Sequence, residues 1–170
     1  MIRGIVTGVG GGVGQSIIKA LQGTDYEVVG VDSEPLAAGL YATNLAYIGE
    51  YANHDSYIDR LLEIAKETGS KFIFPGHDVE LFPIAKNKNV FLQNNIIPIV
   101  SNSTIIELCD NKYLTAQFLK DNDLAAPKTQ LLKEVQQYEY PVIIKPCVGG
   151  ARSKNTFYVD TEDDLFKYKK

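Results

Sequence analysis

Tryptophan is absent, methionine occurs once, and cysteine and histidine occur twice each in 170 residues. Cys109 and Cys147 stand far apart and fit no metal spacing. That argues against a zinc ribbon or a disulfide framework and for free thiols. Two histidines, His54 and His77, are too few for a histidine-based zinc site. Long apolar runs are missing: none approaches the ~20 residues of a membrane helix. The first residues carry no leader pattern, so the expected setting is the cytoplasm, with no membrane partner. Positive charge is also scarce, with 17 Lys and Arg against 21 Asp and Glu. The net charge of −4 and the lack of a clustered basic face argue against nucleic acid. Lys167-Tyr168-Lys169-Lys170 reads as a solvated helix end. A strict G-x-G-x-x-G is missing too: counted from Gly8 the third glycine falls on Val13, and from Gly10 on Gln15.

What is present near the start is a dense glycine turn. Ile5-Val6-Thr7 leads into Gly8, Gly10, Gly11, Gly12 and Gly14, and an apolar-periodic segment follows. This is the strand–turn–helix opening of a βαβ unit. Glycine there takes φ > 0 and lets backbone N–H groups approach a bound group, so the first expectation is an anion site at a helix start.

The chain then alternates. Strands are expected at Arg3–Thr7, Tyr26–Val31, Ala46–Ile48, Phe72–Pro75 and Ile96–Val100. Helices are expected from about Gly14 to Gln22, from Asp55 or Ser56 to Thr68, and from about Val79 past Pro83. Phe82, Ile84, Ala85, Phe91 and Leu92 read as core in that last segment. The apolar stripe Ile58, Leu61, Leu62, Ala65 with Gly69 as stop makes the helix before Phe72 the clearest of them. Pro98 points to an edge strand. Five strands alternating with helices imply a doubly wound parallel α/β sheet. Ligands of such sheets sit beyond the carboxyl ends of the strands. That places Asp32, His77 and Asp78 at the functional edge. Asp32 stands where a dinucleotide fold puts its ribose-binding acid, and it serves equally as a solvated or capping carboxylate. Asp78 is expected to cap the helix that starts near Val79.

After Asp110 the pattern changes. Asn111–Asn122 is amphipathic. Thr129–Leu132, Val142–Lys145 and Thr156–Val159 read as three strands of an antiparallel α+β piece, closed by a helix over Thr161–Lys169. The expected organisation is a Rossmann-like domain over 1–103, connecting helices over 104–127, and a further piece over 128–170. Within the last, Lys145 ends an apolar strand and is followed by Gly149-Gly150-Ala151-Arg152-Ser153-Lys154. A charge ending a buried strand calls for an anionic partner, and such a loop can wrap a polyphosphate. The bland counterpart is a hairpin with a solvated basic tip.

Asp110-Asn111-Lys112 opening a helix, Ala126-Pro127-Lys128-Thr129, then Pro141-Val142-Ile143-Ile144-Lys145-Pro146 before a glycine loop come in one order. That order resembles the ATP-grasp superfamily, especially proteins similar to the large subunit of carbamoyl phosphate synthase. Gly8–Gly14 with Gln15-Ser16-Ile17-Ile18-Lys19-Ala20-Leu21 looks like the start of its pre-ATP-grasp domain. The resemblance implies a Rossmann-like pre-ATP-grasp domain followed by part of an ATP-grasp lid. It implies that Lys112 and Lys145 contact ATP phosphates and that Gly149, Gly150 and Ser153, with Arg152, belong to the loop over them. Gly10, Gly11, Gly12, Asp32, His77 and Asp78 would then face substrate. The chemistry implied is MgATP-driven activation of a carboxylate as an acyl phosphate for attack by an amine or similar nucleophile. Family members are longer than this chain. The Mg²⁺ ligands are therefore expected beyond residue 170, and the isolated chain is expected to turn over little or no ATP. A homodimer is compatible with the resemblance. On these expectations Gly12→Val disturbs folding or acceptor binding and spares nucleotide affinity.

Two other functions compete. Thr7-Gly8, Gly12, Gly14 and Asp32 suit a short-chain NAD(P) oxidoreductase, but none of the ten tyrosines has the lysine four residues on that such catalysis needs. A non-catalytic nucleotide-sensing module is the third.

Overall fold

The computed structural model describes residues 1–135, 139–149 and 153–168. The chain divides into two compact units, Met1–Ser103 and Thr104–Lys170.

The first unit is a five-stranded sheet. Its strands are β1 (Ile2–Val6), β2 (Tyr26–Asp32), β3 (Leu45–Ile48), β4 (Phe72–Phe74) and β5 (Ile97–Pro98), in the order β3-β2-β1-β4-β5. Every pairing is parallel. The helices are α1 (Gly12–Leu21), α2 (Tyr57–Thr68), α3 (Asp78–Lys86) and α4 (Lys88–Gln93), with a 3-10 turn at Ala38–Tyr41.

Period-2 alternation along the strands sends neighbouring side chains to opposite faces. Ile5, Val29, Val31 and Ile73 pack with Leu61, Ile64, Ile84 and Phe91 on one side. Val6, Val28 and Phe74 pack with Ile17, Ile18, Leu21 and Leu40 on the other. A sheet covered on both faces is the doubly wound arrangement expected. Helix α2 buries Leu61, Ile64 and Ala65, and it stops at Gly69, whose φ of +69° lets its N–H reach the Ala65 carbonyl. Ser56 holds the cap position without capping; its hydroxyl instead meets His54 Nδ1 at 2.8 Å.

Three expectations need correction here. The segment after β4 is two helices, broken at Asn87, whose amide donates to the Pro83 carbonyl at 2.9 Å. Ile84, Ala85 and Phe91 are buried, whereas Phe82 and Leu92 are exposed. Strand β5 has only two residues, and it lies at the sheet edge. Ile97 N–H donates to Lys71 O and Ile99 N–H to Ile73 O, both at 2.8 Å. Pro98, between them, places its missing N–H away from β4.

The second unit contains α5 (Ser103–Asp110, whose first residue falls in the first unit), α6 (Lys112–Asp121), β6 (Val142–Ile144), β7 (Phe157–Val159) and α7 (Glu162–Phe166). Strands β6 and β7 pair antiparallel. Asn111 caps α6, its Oδ1 accepting from Tyr113 N at 3.1 Å and Leu114 N at 3.2 Å. Thr161 caps α7 through Asp164 N–H at 3.3 Å.

The expected strand at Thr129–Leu132 does not form: Leu132–Glu134 is a turn closed by Glu134 N–H to Leu131 O at 2.9 Å. A strand needs a partner, and among the described residues β6 and β7 pair only with each other. The last helix ends at Phe166, and Lys169 lies outside the described residues.

Candidate functional site

Strand order reverses between β1 and β4. From β1 the chain builds outward to β2 and β3, then returns to place β4 on the other side of β1. The crevice beyond the carboxyl ends of these strands is the topological switch point. Thr7-Gly8 leaves β1 there and Gly76-His77 leaves β4.

Glycine is required at particular positions of this junction. Gly8 has φ +56°. A Cβ on Gly14 would stand 2.4 Å from the Gly8 carbonyl oxygen, and one on Gly76 would stand 2.0 Å from the Thr7 oxygen. Helix α1 and the turn after β4 therefore close directly onto the turn after β1. Gly12 is different: a Cβ there meets nothing within 4 Å. The steric reason for expecting Gly12→Val to disturb folding is absent.

Asp32 ties the turn down. Its Oδ2 accepts from Gly10 N–H at 2.7 Å and its Oδ1 from Glu34 N–H at 3.0 Å. Gly11 N–H donates to Gly8 O at 3.0 Å. Two amides expected to cradle a bound anion are thus satisfied by the chain itself, one of them by a carboxylate.

His77, not Asp78, caps α3. His77 Nδ1 accepts from Val79 N–H at 3.4 Å. The Glu80 carboxylate accepts from His77 N–H at 3.0 Å, completing a capping box. Asp78 is simply the first helical residue, well placed against the helix dipole. With Nδ1 accepting, the ring proton of His77 lies on Nε2.

Glu80 is the residue that sequence reasoning missed. It is 8% exposed, at the centre of a polar network. The Thr7 hydroxyl donates to Oε2 at 2.7 Å and the Tyr57 hydroxyl to Oε1 at 2.9 Å. Gly76 N–H donates in turn to Thr7 Oγ1 at 3.2 Å. Burial pushes the Glu80 carboxyl above its usual range, and the donors from Thr7, Tyr57 and His77 pull the other way. Burial, then the Glu80 charge, pushes the Tyr57 phenol upward, which keeps its hydroxyl a donor. The signal available in the sequence was a glutamate three residues after a cap position; His77 is an unusual cap residue.

Tyr57, His77 and Glu80 line one cavity of about 500 Å³ beyond β1, β2, β3 and β4. It brings together Gly10, Gly11, Asp32 and His77 with Glu34, Glu50, Tyr57 and Glu80. Gly12 and Asp78 are not part of its lining.

In the second unit, Lys112 begins α6. Its Nζ donates to Gly149 O and its N–H to Cys147 O, both at 2.8 Å. The helix start and the loop after β6 are thereby joined. Lys145 follows β6 and is exposed, as is Ser153, whose φ is +58°. Strand β6 is half-buried, with Ile143 63% exposed. The premise that Lys145 ends a buried strand does not hold. Gly150 and Arg152 lie outside the described residues. Among the described residues no three His, Cys, Asp or Glu side chains converge to hold a metal, and no helix is long and apolar enough to cross a membrane.

Comparison with known proteins covers both units. Residues 6–100 match the family described as PylC-like, N-terminal domain, and residues 109–170 match the ATP-grasp domain family. N5-carboxyaminoimidazole synthetase from Staphylococcus aureus, solved with ADP, is 18% identical over 98% of this chain and 43% of its own, with TM-score 0.75. The biotin carboxylase domain of Hydrogenobacter thermophilus 2-oxoglutarate carboxylase, solved with MgADP, ADP and bicarbonate, is 21% identical over 99% of this chain and 40% of its own, with TM-score 0.70. L-amino acid ligase from Bacillus licheniformis is 15% identical over 99% of this chain and 41% of its own, with TM-score 0.68. At these identities the likeness is one of fold. This chain spans about 40% of the length of each. With a PylC-like N-terminal domain over residues 6–100 and an ATP-grasp match over residues 109–170, the chain belongs to the ATP-grasp superfamily.

Proposed function

We propose that this chain is the N-terminal portion of an ATP-grasp ligase that holds ATP phosphates in its second unit and acceptor substrate in the cavity of its first. The observation that carries the nucleotide half is the 2.8 Å contact of Lys112 Nζ with the Gly149 carbonyl. It supports the two sequence motifs acting together, because a cation at a helix start then stands at the start of the glycine loop. The complete protein would transfer the γ-phosphoryl group of ATP to a substrate carboxylate oxygen, releasing ADP. An amine or similar nucleophile would then displace phosphate from the acyl phosphate. Lys112 and Lys145 would offset charge on the phosphate oxygens. Mg²⁺, when bound, supplies further neutralisation of those oxygens. The described residues present no ligand cluster for it. The acceptor half rests on Gly10, Gly11, Asp32 and His77 lining one cavity. Small-molecule carboxylate and nucleophile partners, a cytoplasmic setting, homodimerisation and a closer kinship to carbamoyl phosphate synthase belong to the same proposal.

Thermal shift of the purified chain tests it. MgATP is expected to raise Tm, and Lys145→Ala is expected to weaken that response by about tenfold in affinity, the loss of one phosphate-paired cation. Stabilisation by NADPH in place of MgATP would sink the proposal. Both Asp32 oxygens being occupied by backbone amides stands against that outcome.

A further inference from the structure

We infer that the hydrogen bond from Tyr51 to Glu34 is a clasp holding the loop after β3 against the loop after β2, so that one wall of the cavity opens and closes as a local unit. Its bearing on what enters the cavity rests on the acceptor-binding role proposed above. The clasp itself is a property of the first unit alone.

The Tyr51 hydroxyl donates to Glu34 Oε1, 17 residues away in sequence, and both residues line the cavity. The two loops are otherwise held unequally. In the loop after β2, Glu34 N–H donates to Asp32 Oδ1 at 3.0 Å, Ala37 N–H to Glu34 O at 2.9 Å and the Tyr41 hydroxyl to Pro35 O at 3.2 Å. Ala37 also seats on the glycine turn, where a Cβ on Gly10 would stand 2.9 Å from Ala37 Cβ.

The loop after β3 leaves the sheet at Gly49, whose N–H donates to Asp32 O at 2.9 Å, and rejoins the fold at the buried ring of Tyr57. Between those anchors the main-chain bonds among the described residues are local: His54 N–H to Tyr51 O at 2.8 Å and Tyr57 N–H to His54 O at 3.0 Å. The His54 ring turns to Ser56 and Glu50, on the same stretch of chain. Ala52 packs against the core from within, and an alanine buries little apolar surface. The Tyr51 hydroxyl, with Glu34 and Ser33 around it, is thus what ties this loop to its neighbour beyond Gly49. The bond to Glu34 pushes the Tyr51 phenol upward, which keeps the hydroxyl a donor. Tyr51 is 57% exposed. A bond so close to water adds little to the stability of the whole unit, but a few-fold bias is enough to set how often a loop opens.

Amide hydrogen exchange of the full 170-residue chain, followed by nitrogen-15 NMR at neutral pH without ligand, tests this. Tyr51→Phe is expected to raise exchange at His54 and Tyr57 about fivefold, the scale of one exposed hydrogen bond, and to leave Val29 and Ile73 in the core strands unchanged. Glu34→Ala is expected to match it, and the two together to do no more than either alone. The control is Tyr41→Phe, which removes a tyrosine bond inside the loop after β2 and is expected to leave His54 unchanged. Unchanged exchange at His54 in folded Tyr51→Phe, an equal rise at Val29 and Ile73, the same rise in Tyr41→Phe, or additive effects in the double variant would each overturn the inference. No ligand enters the measurement. Failure of the nucleotide or acceptor reading therefore leaves the clasp standing, and failure of the clasp leaves those readings untouched.

Discussion

Gly76→Ala is expected to lower the stability of the first unit by about 3 kcal/mol, the upper end of what overpacking costs. In a unit of this size that is a fall in Tm of more than about 10 °C. The added methyl would stand 2.0 Å from the Thr7 carbonyl oxygen and 3.1 Å from Gly14 Cα. Neither neighbour is a flexible side-chain end; both are main chain, in strand β1's exit and in helix α1. Relief requires the turn after β4 to retreat from β1, and that retreat breaks Gly76 N–H to Thr7 Oγ1. The paired control is Gly12→Ala, in the glycine-rich turn after β1. Its Cβ meets nothing within 4 Å. It should change stability by less than about 0.5 kcal/mol, since a helical alanine is no worse than glycine. Urea melts of the two variants decide the matter. Similar midpoints would show that Gly76 and Gly12 are not distinguished by packing.

Glu80→Ala is expected to cost about 3 kcal/mol, because the Thr7 and Tyr57 hydroxyls and the His77 N–H lose a buried acceptor at once. The pH dependence has a definite sign. The Glu80 carboxyl titrates above 4.5 in the folded state, chiefly through burial. Between 4.5 and that folded value the native state binds more protons than the unfolded one. Stability from this group is complete at low pH and is lost as pH rises through the folded pKa. Glu80→Gln removes the titration and keeps an acceptor oxygen. Urea midpoints from pH 4.5 upward to neutrality should therefore fall more for the native chain than for Glu80→Gln. A native chain that gains stability over the variant as pH rises would show that the carboxyl is not held upward.

Much of this fold is legible in the sequence wherever periodicity and punctuation agree. Helix α2 combines an apolar stripe with a glycine stop, and it is found as expected from Tyr57 to Thr68. Pro98 marks an edge correctly, because a missing donor is a local fact. Thr129–Leu132 fails for the opposite reason: β-pairing depends on a neighbour that the segment itself does not encode. The continuous apolar segment after β4 does not announce its break at Asn87, since apolar spacing alone cannot distinguish one helix from two.

The site is legible as to place and less so as to role. The position of Asp32 at the end of β2 is readable, and its task of holding Gly10 N–H depends on a partner 22 residues away. Asp78 is the expected cap because acids are favoured at helix starts, yet Glu80 three residues after His77 makes His77 the cap. Glu80 reads as an ordinary surface acid of a helix first turn. Only the approach of Thr7 and Tyr57 from other elements makes it buried.

The two-residue strand β5 has a consequence for how this molecule meets its own copies. A sheet edge normally offers an outward row of donors and acceptors on which another chain can add a strand. Here the outward position is Pro98, which has no donor, and its carbonyl already accepts Val100 N–H at 3.0 Å. That end of the sheet is closed to intermolecular extension by one residue, so crowding of the unit in solution finds no template for β-aggregation along β5.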